Sequence, residues 1–181
     1  NFDFWNDWLP ESKTIYFKYN RCRDPQGFAS LVQKTKAFAE QRAVDKFVLD
    51  LRHNGGGNSS VIRPLIQWLG AESAQGGSLK CYVIVGRGTF SSGLWAAYDM
   101  KKLGAVVVGE PSGGKPNHFG EVKVLVLPRS KWRVFYSTTF WTLLPDTDPP
   151  YLEPDLPVQY RGEGFFQGRD AALAAILQDR E

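Results

Sequence analysis

The sequence predicts an α/β domain built on a mainly parallel central sheet. Short apolar runs that are rich in β-branched residues alternate with segments whose apolar residues recur at helical spacing. Three of these runs lead into glycine-rich loops, which is typical of buried parallel strands followed by crossover helices. The resulting order of strand, helix, strand, helix, strand, helix and strand is the order that a parallel sheet requires.

The first strand is predicted at residues 14–19, where β-branched and aromatic side chains follow one another. A helix is predicted at residues 26–41, because apolar residues recur there every three to four positions. Asp24 and Pro25 favour a helix start at this point, since an acidic cap followed by proline suits the first helical turn.

The second strand, residues 46–51, leads into three consecutive glycines at 55–57. A helix is predicted to begin at Ser59 or Ser60, either of which can cap it, and to be closed by Gly70.

Residues 79–85 and 105–108 predict two further buried strands, separated by a helix at 92–103. The pattern then changes. Residues 121–127 and 132–138 alternate in polarity around a turn, which predicts a β-hairpin. Two segments complete the chain, a proline-rich loop and a final helix: residues 145–157 and 170–178.

Composition narrows the function classes. The 181 residues predict a single domain, residues 1–181, with a hydrophobic core. The net charge of +3 is scattered along the chain and gives no basis for nucleic-acid binding. No apolar run is long enough for a membrane helix. No His, Cys or Asp cluster has the spacing of metal ligands, so neither a metal nor an organic cofactor is predicted.

Because the chain opens on Asn1 without a leader, we expect a piece of a longer precursor whose upstream domain is absent.

Three strand ends carry unusual sequence: residues 50–57, 86–93 and 109–115. The carboxyl ends of parallel strands share one edge of a sheet, so these loops are expected to open on the same side. The second loop places Ser91 and Ser92 at a helix start, where free backbone amides can stabilise an oxyanion. The same serines can instead be ordinary helix caps. The glycines of the first loop permit a close approach to the serines.

Lys115 ends the third loop. A lysine that acts as a base must lose its proton near neutral pH, which requires burial that lowers a reference pKa of about 10.4. Most lysines that follow glycines are solvated, so this residue alone decides nothing. Arg52, in the first loop, is expected to form a structural salt bridge or to hold loop carbonyls.

In this order, the three loops resemble the S41 peptidase family, which includes the tail-specific (carboxyl-terminal processing) and tricorn proteases. The resemblance covers about residues 47–156 and ends at the Pro-Asp-Leu element 154–156. It implies a ClpP/crotonase-like spiral of ββα units, with the hairpin and C-terminal helix added to it. It also implies a bacterial, extracytoplasmic serine endopeptidase that hydrolyses peptides or unfolded proteins.

By the same resemblance, Ser91 is the expected nucleophile and Lys115 the expected base of a Ser–Lys dyad. The amides of Ser92 and of Gly56 or Gly57 are expected to form the oxyanion hole. The chain departs from the tail-specific pattern, because Ser-Ser-Gly-Leu stands where those proteases carry Ser-Ala-Ser-Glu. Tricorn-like members take a histidine base from an upstream segment, so a histidine outside this chain is the alternative base.

Five titratable side chains are weaker candidates for an auxiliary role: His53, Glu110, His118, Asp148 and Glu153. His118 is a candidate base or substrate contact, and His53 can cap or line the glycine loop. Glu110 can orient the lysine of the third loop. The other two acids lie near where a tricorn-like acid would fall, although loop acids are usually solvated.

The leading interpretation is therefore a serine endopeptidase without a cofactor. Two alternatives stay open at this point. One is a catalytically silent module on the same fold, which would hold an extended peptide by main-chain bonding. The other is an acyl-ester hydrolase, although the chain lacks the Gly-x-Ser-x-Gly motif of α/β-hydrolase esterases.

Overall fold

The computed structural model describes residues 2–179, and a six-stranded sheet forms its centre. The strands in chain order are β1 (Phe4–Leu9), β2 (Thr14–Tyr19), β3 (Lys46–Asp50), β4 (Lys80–Val85), β5 (Val106–Gly109), β6 (His118–Val126), β7 (Arg133–Trp141) and β8 (Leu156–Pro157). The sheet order is β1-β2-β3-β4-β5-β8, and β6 pairs with β7 in a separate antiparallel hairpin. All neighbours in the sheet are parallel except β1 and β2. The predicted α/β class, its mainly parallel sheet and its hairpin are confirmed.

Helices cover both faces of this sheet. They are α1 (Pro25–Ala39), α2 (Arg63–Ala74), α3 (Ser92–Lys102), α4 (Gly162–Phe166) and α5 (Ala171–Gln178). The first three share one core cluster with Phe17 and Leu49, whereas α5 joins the cluster that contains Val48. Successive strand residues therefore point into different cores, which explains why these strands are apolar throughout. Among residues 2–179, no helix is long and apolar enough to cross a membrane.

Three short elements were not predicted. Strand β1 mixes polar and aromatic residues and pairs antiparallel at the sheet edge, where one side of a strand stays unpaired. Strand β8 lies inside the predicted proline-rich loop, and Pro157 is tolerated because β8 is the opposite edge strand. Helix α4 is only five residues long, too short for a periodic signal.

Two predicted boundaries were wrong. Helix α2 does not run from Ser59 or Ser60 to Gly70 but from Arg63 to Ala74. Residues 59–62 form a separate 3-10 turn, and Asn58 caps it by accepting from the Ser60 amide. The hairpin extends further from its turn than predicted, since β6 starts at His118 and β7 ends at Trp141. This extension matters for the site, because it brings the start of β6 beside the loop that carries Ser91.

Candidate active site

Ser91 lies where the loop after β4 enters α3. Its backbone has φ 51° and ψ −125°. A positive φ is unfavourable for a residue with a Cβ, so the surrounding loop holds Ser91 in a strained conformation. Its side chain makes no capping bond to the helix. The alternative interpretation of this serine as an ordinary helix cap is therefore not supported.

Ser92 has a different role from its neighbour. Its hydroxyl donates to the Gly57 carbonyl oxygen at 2.7 Å. This bond joins the loop after β4 (residues 86–93, the serine loop) to the loop after β3 (residues 50–57, the glycine loop). It also occupies the Ser92 hydroxyl. Of the two serines, Ser91 is the one whose hydroxyl stays available for chemistry.

The glycine loop packs directly against Ser91. A Cβ on Gly56 would lie 2.8 Å from the Ser91 Cβ and 3.1 Å from the Ser92 amide nitrogen. Gly56 also has φ 104°. Glycine is therefore required here both for the backbone conformation and for the close approach.

Two of the three predicted oxyanion donors are available. The Gly56 amide already donates to Asn54 Oδ1 at 2.9 Å. Within residues 2–179, neither the Gly57 amide nor the Ser92 amide has a hydrogen-bond acceptor. Ser92 is the first residue of α3, so its amide is one of those that a helix leaves unpaired. Gly57 and Ser92 are thus the amides that can hold a developing negative charge beside Ser91.

Asn54 and Thr89 hold the glycine loop and the serine loop together through hydrogen bonds to the backbone. The fully buried Asn54 donates through Nδ2 to the Tyr19 carbonyl at 2.9 Å, and its own carbonyl accepts from the Phe90 amide at 3.0 Å. Thr89, also fully buried, donates to the Leu51 carbonyl at 2.9 Å. Both residues lie within the predicted loops, 50–57 and 86–93, and neither was predicted to have a role. A short polar side chain beside a buried strand usually bonds to the backbone, and this pattern could have identified both residues.

The third loop reaches the serine loop through its glycines. The Gly114 amide donates to the Thr89 carbonyl at 3.2 Å. A Cβ on Gly113 would lie 1.9 Å from the Arg87 carbonyl oxygen, so only glycine fits there. The structure therefore brings together the three loops that the sequence singled out.

Lys115 is placed differently from the dyad expectation. Its side chain is exposed, and its ammonium pairs with Asp148. It does not line the cavity at Ser91, and no hydrogen bond within residues 2–179 joins it to Ser91. The third loop is in place, but its lysine is turned to the surface.

A cavity of about 580 Å³ opens beside Ser91. It is lined by backbone and side chains of the glycine loop, the serine loop, α3 and the hairpin: Gly57, Asn58, Ser59, Phe90, Ser91, Ser92, Trp95, His118, Phe119, Gly120, Glu121, Val122 and Trp141. Both available amides and the Ser91 hydroxyl thus belong to residues around one space, which is large enough for a bound peptide segment.

His118 is the titratable candidate that shares this cavity. It is 9% exposed, and its Nδ1 lies 3.1 Å from the Pro116 carbonyl oxygen. A carbonyl only accepts, so Nδ1 must donate, and the neutral ring then carries its lone pair on Nε2. The Phe90 ring packs against the imidazole with centroids 5.4 Å apart. This is the arrangement of a histidine whose second nitrogen can take a proton.

The three acidic candidates do not line this cavity. Glu110 pairs with Arg87 at 3.4 Å. Asp148 pairs with Lys115 and also accepts a hydrogen bond from Asn117 Nδ2 at 3.3 Å. Glu153 is exposed. None of the three touches Ser91 or His118 in the described part of the chain.

A buried charge cluster lies behind the first loop. Asp50 is fully buried and pairs with Lys18 Nζ at 2.9 Å, and the Tyr16 hydroxyl donates to the same carboxylate. Burial alone would raise the pKa of Asp50, but the Arg52 and Lys18 charges together hold it below its usual range. His53 accepts at Nδ1 from Lys18 Nζ at 3.1 Å, and burial together with the lysine charge lowers the pKa of His53.

Arg52 forms the salt bridges that the sequence predicted. Its guanidinium contacts Asp50 Oδ2 at 2.9 Å and holds Asp170 with two nitrogens, at 3.0 and 2.7 Å. Asp170 caps α5 by accepting from the Leu173 amide. Arg52 therefore fastens the C-terminal helix to the end of β3 and does not face Ser91.

Several solved structures with this architecture are described as peptidases or proteases. A candidate peptidase from Parabacteroides merdae superposes with a TM-score of 0.65 at 17% identity, over 99% of this chain and 65% of that one. The tricorn protease gives 0.61 at 17% identity, over 92% of this chain and 18% of its own. The photosystem II D1 C-terminal processing protease gives 0.55 at 18% identity, over 88% and 47%.

The chain has the fold of S41-type peptidases. No protein-family model and no curated protein sequence matches it. The chain spans 65% of the candidate peptidase and less of the other two proteins, so it corresponds to part of their length. The parallel sheet places the three loops at one edge, as the strand order predicted. The description of that fold as a ClpP/crotonase-like spiral stays a prediction.

Because Ser91 is strained, glycine at this position is expected to stabilise the fold. Ser91→Gly should raise the free energy of unfolding above that of Ser91→Ala by about 1–2 kcal/mol, since glycine adopts positive φ at little cost. Urea unfolding of the two variants measures the difference. Both variants lack the hydroxyl, so that loss cancels in the comparison. Equal midpoints and slopes would show that the backbone of Ser91 is not strained.

Proposed function

We propose that this chain is the catalytic domain of a serine peptidase, with Ser91 as the nucleophile. The observation that carries the proposal is that the Ser91 hydroxyl has no capping role and lies beside two amides, those of Gly57 and Ser92. Neither amide has a hydrogen-bond acceptor within residues 2–179. Acyl transfer through a tetrahedral intermediate requires this combination. The peptidase folds of the similar structures support the same class of reaction. The substrates are peptides or unfolded proteins.

We assign the general base within this chain to His118. Its Nδ1–H is held by the Pro116 carbonyl, which leaves Nε2 to receive a proton. His118 is among the residues that line the cavity beside Ser91. Lys115, the base expected from the tail-specific pattern, is engaged with Asp148 at the surface.

The reaction then follows in two steps. As the Ser91 Oγ attacks the peptide carbonyl carbon, its proton passes to His118 Nε2, and the carbonyl oxygen takes up negative charge facing the Gly57 and Ser92 amides. The intermediate collapses when the C–N bond breaks, and the leaving amine receives the proton from His118. A water molecule then gives a proton to His118 Nε2 as its oxygen attacks the acyl-enzyme carbonyl carbon. The ester C–O bond breaks, the Ser91 Oγ takes the proton back from His118, and the acid product leaves.

Paired substitutions test the base. His118→Gln is expected to lower kcat by about 10²–10⁴-fold, because the amide cannot accept the proton. Lys115→Met removes only an exposed ion pair and should change kcat by about threefold at most. The measurement is hydrolysis of a quenched fluorescent peptide by each purified variant.

Two outcomes would overturn the assignment of His118. A large loss in Lys115→Met with little loss in His118→Gln would restore the Ser–Lys dyad. Little loss in either variant would assign the base to a group outside this chain, such as an upstream histidine. Far-ultraviolet circular dichroism of each variant controls for misfolding.

A catalytically silent peptide-binding module is the second candidate. The surface pairing of Lys115 with Asp148 favours it, because the base expected from the Ser–Lys pattern is then absent from the cavity. Such a module would hold an extended peptide by its main chain, using the same Gly57 and Ser92 amides. Reaction with a fluorophosphonate separates the two candidates, because only an activated serine reacts with it.

A further inference from the structure

Aromatic side chains form much of the wall of the Ser91 cavity. They come from three segments of the chain: Phe90, Trp95, Phe119 and Trp141. Trp95 and Trp141 meet edge to face, with ring centroids 6.1 Å apart and an interplanar angle of 85°. Phe119 packs on Phe140 of the neighbouring strand at 4.9 Å. These ring contacts fix the wall, so it does not have to be assembled by a ligand.

The wall has a fixed relation to the nucleophile. Trp95 lies one turn into α3, four residues after Ser91, and both residues line the cavity. Trp141, at the end of β7, passes over Gly120, where a Cβ would come within 2.8 Å of the indole. Gly120 therefore lets this ring close the cavity wall from the hairpin side.

The charge around the cavity is low. Apart from His118, Glu121 is the one acidic or basic side chain among the described lining residues, and it is exposed, so solvent screens its charge. Val122 adds an aliphatic surface next to it. An apolar guest has no polar group to desolvate, and its binding removes apolar surface of both guest and wall from water. A basic side chain would find a single screened carboxylate.

We propose that this cavity is the specificity pocket and that it takes a large apolar side chain, Phe, Tyr, Trp or Leu, next to the scissile bond. The proposal rests on the proposed function and adds its substrate class. A cavity of about 580 Å³ accommodates such a side chain together with adjoining main chain. Trp95 and Trp141 are the residues that determine the preference.

Matched peptides that differ only at one residue beside the cleaved bond test this proposal. In the wild-type chain, kcat/KM for the Phe peptide should exceed that for the Ala peptide by about 10–100-fold. Trp95→Ala should remove most of this ratio. Trp132→Ala is the matched control, because its indole is 75% exposed on the hairpin and does not line the cavity, so the ratio should persist. Mass spectrometry of the products confirms which bond is cut.

A second variant avoids any loss of packing at Trp95. Val122 is 62% exposed, so Val122→Glu is expected to fold normally while adding a carboxylate beside Glu121. It should lower the Phe-to-Ala ratio and raise cleavage beside Lys or Arg. A simple fluorophosphonate, which carries no peptide side chain, should label Ser91 equally in the wild type and in Trp132→Ala. Failure to label the wild type would defeat the proposed function. Normal labelling with equal rates for the Phe and Ala peptides, or an unchanged ratio in both Trp95→Ala and Val122→Glu, would overturn the pocket alone.

Discussion

Replacing Ser91 with alanine is expected to lower peptide hydrolysis by roughly 10³-fold or more and to leave the fold intact. The substitution removes the attacking oxygen, and the neighbouring Ser92 hydroxyl is engaged by the Gly57 carbonyl. Ser91 makes no capping bond, so its loss costs the helix little stability. The measurement is kcat/KM for a quenched fluorescent peptide, with urea unfolding to show that the variant is folded.

Ser92→Ala is the matched control for this experiment. It removes the bond to the Gly57 carbonyl but keeps the Ser92 amide. We expect at most about a tenfold loss of activity, since one neutral hydrogen bond contributes about 1 kcal/mol. Wild-type turnover in Ser91→Ala combined with a large loss in Ser92→Ala would make Ser92 the nucleophile.

The largest effect on stability is expected at Asp50. Asp50→Asn should lower the free energy of unfolding by about 3–5 kcal/mol, because it leaves the buried charges of Lys18 and Arg52 without their shared carboxylate. The new amide would also point a donor at groups that donate. Asp45→Asn is the control, since that carboxylate is 59% exposed and pairs with Lys13 at 3.7 Å, and its loss should change stability by about 0.5 kcal/mol at most.

The same cluster predicts how stability depends on pH. The folded pKa of Asp50 lies below its unfolded value, so its contribution is fully present above about pH 4 and is lost as pH falls through the folded pKa. Urea midpoints measured between neutral pH and about pH 3 should therefore fall more steeply for the wild type than for Asp50→Asn. Parallel pH curves for the two proteins, or a destabilisation no larger than that of Asp45→Asn, would contradict the account of this cluster.

The sheet was predictable because burial on both faces leaves a plain signal. Residues 46–50 and 80–85 are almost continuously apolar since their alternate side chains enter two different cores. Edge strands carry no such signal. Strand β1 is exposed enough to keep Asn6 and Asp7, and β8 is two residues long. Their pairing depends on neighbours that only the fold supplies.

The candidate site was predictable at the level of loops but not of side chains. Strand ends of a parallel sheet share an edge, so the meeting of Gly56 with Ser91 follows from topology and glycine content. The direction of Lys115 does not, because a long flexible side chain takes the partner nearest to it, here Asp148. His118 came into the cavity through the extended start of β6, a boundary that hydrophobic alternation could not locate.

The central claim, that Ser91 is the nucleophile, is tested most directly by covalent labelling. The folded chain is treated with a fluorophosphonate and digested, and the modified peptide is located by mass spectrometry. The account predicts a single labelled site at Ser91 and no label in Ser91→Ala. Label on Ser92 or another residue, or a chain that cleaves peptides while its Ser91 stays unmodified, would contradict it.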